Sequence, residues 1–127
     1  MSIDEIKKEF EDRQTDVVLL VDTLFQTCAK HGAVAGRQQD NASVVLEFGD
    51  GTTAVFPIEQ AQGKFRMVCA RLCAISNDLN QELNNIYFGV CTMPYRHGVI
   101  KIECENTLKN HYFKLQYEKG EQEASAD

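Results

Sequence analysis

The sequence predicts an α+β fold: an antiparallel sheet of about five strands with two long amphipathic helices on one face, in the order α-β-β-α-β-β-β. Three observations predict it. Apolar residues recur at helical spacing near the N-terminus and again from Ile58 to Leu83. They alternate with polar residues between and after those stretches, and short turn signals join neighbouring alternating segments. Strands joined by short turns pair antiparallel, and an amphipathic helix needs an apolar surface on which to bury its stripe.

The first helix is predicted to start at Ser2, which with Glu5 has the spacing of a capping box. Ile3, Ile6, Phe10, Val17, Leu20 and Leu24 then form a narrow apolar seam, with Arg13 interrupting it. Gly32 suits the left-handed position after the last turn, so the helix is expected to end near His31. Thr15 could cap a separate second segment if the helix breaks near Gln14. The stretch from Gly32 to Asn41 follows neither period and reads as a connection.

Val44, Leu46 and Phe48 alternate with Val45 and Glu47, Asp50 and Gly51 supply turn chemistry, and Thr52 to Phe56 is β-prone; this is a hairpin. Its register is open, since a two-residue or a three-residue loop decides whether Val55 or Phe56 faces the core. After Pro57, Ile58, Ala61, Phe65, Val68, Leu72, Ile75, Leu79 and Leu83 define the second helix, expected to stop at Asn84 and Asn85. Three strands follow, carried by Ile86, Phe88 and Val90, by Ile100, Ile102 and Cys104, and by Phe113, Leu115 and Tyr117. Turns are expected between Met93 and Gly98 and between Glu105 and Asn110. Residues 1–117 are read as one domain and 118–127 as an acidic, disordered tail.

The chain has 127 residues, of which 43% are hydrophobic and 25% charged, ordinary values for a packed domain. The net charge of −6 resides at the ends, because the central residues 30–117 carry eight acids and nine bases. No basic stripe is evident, so direct nucleic-acid binding is not expected. The longest unbroken apolar stretch, Val17 to Val21, is too short to span a membrane, and the N-terminus lacks a secretory pattern, which points to the cytoplasm. Five cysteines, an odd number, read there as free thiols in apolar patterns.

The chemistry-bearing residues are sparse. Cys91, His97, Cys104 and His111 have conceivable metal-ligand identities, but their C-x5-H-x6-C-x6-H spacing lacks the close pairs of a structural zinc knuckle. Cys69 and Cys73 lie one helical turn apart without redox spacing, and no cysteine has a recognisable nucleophile context. No catalytic residue and no cofactor is therefore assigned. The expected function is that of a non-enzymatic protein-interaction module, adaptor, chaperone-like or regulatory, that forms a homodimer through its N-terminal helix. The interface would use Ile3, Ile6, Phe10 and Val17 with the acids Glu5, Glu9, Asp12 and Asp16. Two alternatives are a small-ligand or metal-binding domain built on the strand thiols and histidines, and an acidic mimic of nucleic acid.

Overall fold

The computed structural model of the chain describes residues 5, 8, 17–38, 43–82 and 85–120, with the backbone alone for 58–62. It is an α+β fold with the elements α1 (Val17–His31), β1 (Ala33–Gln38), β2 (Ser43–Phe48), β3 (Thr53–Pro57), α2 (Ile58–Leu79), β4 (Phe88–Tyr95), β5 (Gly98–Asn106) and β6 (His111–Lys119). All six strands belong to one antiparallel sheet in the order β3-β2-β1-β6-β5-β4. Two three-strand meanders thus meet where β1 pairs with β6. Helix α2 links β3 at one edge to β4 at the other. Its 22 residues span about 33 Å at 1.5 Å per residue, enough to cross six strands spaced about 4.8 Å apart.

Both helices pack on one face of the sheet. That face presents Val34 from β1, Leu46 and Phe48 from β2, Phe56 from β3, Ile100 and Ile102 from β5, and Phe113 and Leu115 from β6, all buried. Helix α1 buries Leu20, Val21, Leu24, Phe25 and Cys28, and α2 buries Phe65, Val68, Cys69, Leu72 and Cys73. Buried Thr27 satisfies its hydroxyl by donating to the Thr23 carbonyl at 2.8 Å. Helix α1 ends as its sequence implies, with Gly32 at φ 87° and its N–H donating to the Cys28 carbonyl at 2.7 Å.

The sheet has a strand more than expected. The stretch taken for a connection after Gly32 contains β1, which lies in the middle of the sheet and pairs with β2 through Val34↔Phe48 and with β6 through Val34↔Leu115. Its period-two signal is faint because the core-facing residue after Val34 is Gly36. A Cβ there would stand 2.5 Å from Phe113 Cε1 and 2.8 Å from Phe65 Cε1. The two rings lie across the strand, 5.8 Å apart between centroids, in space that a side chain on residue 36 would otherwise fill.

The hairpin register is settled by its turn. Gly51 donates to the Phe48 carbonyl and Phe48 to the Thr52 carbonyl, so the loop is Gly49-Asp50-Gly51, with Gly51 left-handed at φ 86°. Phe56 therefore faces the core, and Val55, 52% exposed, faces out. Asp50 Oδ1 accepts from the Thr52 N–H at 2.9 Å, and bonding to Thr52 holds this carboxyl below its usual range.

Three further boundaries differ from expectation. Helix α2 ends at Leu79, with the Asn80 N–H donating to the Ser76 carbonyl, so the chain leaves the helix before Asn84. Strand β4 continues through Met93 and Pro94 to a two-residue turn at Arg96-His97. Pro94 is tolerated there because β4 is an edge strand. Strand β6 runs on through Glu118 and Lys119, which the sequence assigned to the tail; Lys101 Nζ lies 2.8 Å from Glu118 Oε1.

Candidate functional site: the outer flank of the second helix

Helix α2 has an amphipathic pattern, and once its apolar stripe is buried the opposite stripe must face outward. That outward stripe is less polar than is usual on a surface. Met67 is 56% exposed, and Ala70, Arg71, Ala74 and Asp78 are exposed on successive turns. Arg71 and Asp78 have no ion-pair partner among the described residues.

The return from α2 into β4 adds to this surface. Asn85 exchanges backbone hydrogen bonds with Phe88, and its Oδ1 accepts from the N–H groups of Tyr87 at 2.8 Å and Phe88 at 3.1 Å. Asn80 Nδ2 donates to the Val90 carbonyl at 3.3 Å. These bonds engage the outward backbone groups at the start of the edge strand, which shields it from pairing with another strand. What this corner offers beside α2 is side chains: Ile86 is 67% exposed, and Tyr87 and Leu79 are also exposed, while Phe88 and Val90 are exposed on the opposite face of the sheet. A groove of about 380 Å³ joins the two parts, with Ala70, Ala74 and Asn77 on the helix wall and Ile86, Tyr87 and Asn106 opposite. Asn77 Oδ1 is buried there with no donor among the described residues.

The sequence read Ile86, Phe88 and Val90 as one alternating strand set, but the core side of β4 belongs to Gly89 and Cys91. A Cβ on Gly89 would lie 2.7 Å from Ser76 Oγ and 2.8 Å from Cys104 Sγ, so small residues let α2 settle on this edge. Apolar side chains in a strand are normally assigned to the buried face, which hid this flank from a periodicity reading. The detectable signal was the combination of an apolar Ile-Tyr-Phe run with an Ala-x3-Ala flank on the preceding helix.

The four conceivable metal ligands are not brought together. Cys91 and Cys104 are buried beneath α2, whereas His97 sits exposed at the β4–β5 turn. His111 lies at the other end of β5, paired with Asn106. Among the described residues no group of three or more His, Cys, Asp or Glu side chains could hold a metal ion.

The five cysteines are free and buried. Cys73 and Cys104 approach to 3.4 Å between sulfurs, Cys104 donates to the Gly89 carbonyl at 3.6 Å, and Cys91 donates to Ser76 Oγ at 3.5 Å. Bonding to Cys73, then burial, raises the Cys104 thiol, burial raises Cys69, and burial pushes Cys28 up to about 11. These three thiols stay protonated at neutral pH, which suits packing and not nucleophilic attack.

His111 Nδ1 lies 2.7 Å from Asn106 Oδ1, and because an amide oxygen only accepts, Nδ1 carries the proton. Nε2 is then a buried acceptor with no donor among the described residues. Burial, with the Arg66 charge adding to it, lowers the histidine's pKa, and Glu105 opposes the shift.

Of the expected interface, Ile3, Ile6, Phe10, Glu9, Asp12 and Asp16 lie outside the described residues. Glu5 is helical and exposed. Val17 packs against the core, and the buried face of α1 beyond it, from Leu20 to Cys28, is wider than a two-per-heptad seam. No described helix is long and apolar enough to cross a membrane. Comparison of the sequence with protein-family models and with curated proteins finds no match.

Proposed function

We propose that this chain is a non-enzymatic protein-interaction module whose docking surface is the outer flank of α2 together with the adjoining corner of β4. One observation carries the reading: exposed apolar side chains gather on this flank, where Met67, Leu79, Ile86 and Tyr87 are four of the ten large exposed hydrophobic residues described. Isolated apolar residues are ordinary on a protein surface, whereas a cluster beside a groove marks a contact site. The opposite face of the sheet is more charged: Lys101 is bound to Glu118, the Tyr112 hydroxyl donates to Glu103 at 3.1 Å, and Arg37, Glu47 and Lys114 are exposed there beside the apolar Val55, Phe88 and Val90.

The chemistry of the core supports the non-enzymatic part. Its thiols are buried, and His111 is directed into Asn106. The acids of the N-terminal segment, among them Glu5, Glu9, Asp12 and Asp16, would contribute long-range attraction to a partner with a basic patch.

The test is protein capture by the full chain and by a double variant, Ile86→Asp with Tyr87→Asp. Both positions are exposed, so circular dichroism and melting temperature should stay close to wild type. Proteins retained by the wild type should be lost from the variant. An identical retained set would remove this flank as the docking surface.

A further inference from the structure

Because Arg71 and Asp78 on the α2 flank can pair with each other across a two-fold axis, we infer that the occupant of this surface is a second copy of the chain, docked with the two α2 helices antiparallel about an axis beside Ala74. The inference rests on the interaction-module reading and names the partner.

Arg71 and Asp78 are both exposed on α2 and are seven residues apart, close to two full turns, so they stand on one side of the same outward stripe. A two-fold axis midway between them sets Arg71 of each copy opposite Asp78 of the other. An isologous contact uses one patch twice, so this yields two opposite-charge pairs from a single Arg and a single Asp. A parallel arrangement would set Arg71 against Arg71 and Asp78 against Asp78, which repel.

Size fits as well as charge. Ala74 lies at the axis and Ala70 beside it, and small side chains let two helices pack at the near end of the roughly 8–10 Å range of interaxial distances. Ile86 and Tyr87 border the groove on the Ala70 and Asn77 side, away from the charged pair, and would be covered by the incoming helix.

The charge balance of the whole chain points the same way. Two copies each carrying −6 repel, and the excess acidity lies in residues 1–29 and 118–127. The described part of α2 lies outside that acidic excess, with Lys64, Arg66 and Arg71 against Asp78.

Light scattering on the full chain tests this. The wild type should show twice the chain mass of 14.3 kDa. Arg71→Asp alone and Asp78→Arg alone should each weaken association on the order of tenfold or more, because each sets like charges together across the axis. Combining Arg71→Asp with Asp78→Arg should restore the dimer, which loss of folding could not do. A monomeric wild type would overturn the inference. So would a dimer untouched by either single reversal, one dissociated by Phe10→Asp alone, or a double reversal that stays monomeric. If the wild type is monomeric yet Ile86→Asp with Tyr87→Asp still loses captured proteins, self-docking falls and the interaction-module reading stands. If that capture is unaffected as well, both fall.

Discussion

Gly36 and His111 show how single residues set the limits of this core. The space above Gly36 is occupied by the rings of Phe113 and Phe65. Gly36→Ala should therefore destabilise the protein by about 1–3 kcal/mol, the usual range for overpacking, and lower the melting temperature, even though alanine normally suits a strand at least as well as glycine. His111 gives a pH signature. Its folded pKa lies below the unfolded value of about 6.5, so the unfolded state takes up a proton first as pH falls. The associated stability is complete above that value and is lost as pH drops through it toward the folded value. Arg66 on α2 favours the loss, and Glu105 on β5 moderates it. Urea midpoints at about pH 7.5 and about pH 5.5 should differ more for the wild type than for His111→Gln. Equal differences would mean that another group governs the acid limb.

At the scale of elements, the β2–β3 hairpin gives the clearest test of register. Phe56→Ala should cost about 3–5 kcal/mol, while Val55→Ala one residue away should stay within about 0.5 kcal/mol, both read by denaturant unfolding. Gly51→Ala should cost about 1–2 kcal/mol, because the three-residue loop holds that residue left-handed. Both helices, this hairpin and strands β5 and β6 could be read from the sequence because each pairs a strong apolar period with a turn or cap signal. Strand β1 could not, since Ala33, Ala35 and Gly36 carry too little side chain to produce a period, although it is the strand that joins the two halves of the sheet. The end of α2 was placed too late because Leu83 continues the helical spacing beyond Asn80. The face of β4 was misjudged for a related reason: its bulky residues point outward, and Gly89 leaves room for Ser76.

For the whole molecule, the sheet's two faces and two edges divide the work. One face is spent on the helices, and the other carries a mixed set of charges, among them the Lys101–Glu118 pair, with exposed Val55, Phe88 and Val90. At the start of the β4 edge the outward backbone is engaged by Asn80 and Asn85, while Ile86 and Tyr87 leave their side chains exposed. An apolar surface of that kind accepts a helix more readily than another strand. Of the N-terminal seam read from the sequence, Val17 packs against the chain's own core, as do Leu20, Val21 and Leu24 beyond it, whereas Val18 and Leu19 are exposed.

The central claim, that the α2 and β4 flank is where this protein meets another, is tested most directly by placing a photo-crosslinking side chain at Tyr87 and, in a separate variant, at Gln116 on the opposite face of the sheet. The account predicts covalent adducts to a second protein molecule from position 87 and none above background from position 116. Adducts from position 116 with none from position 87 would contradict it.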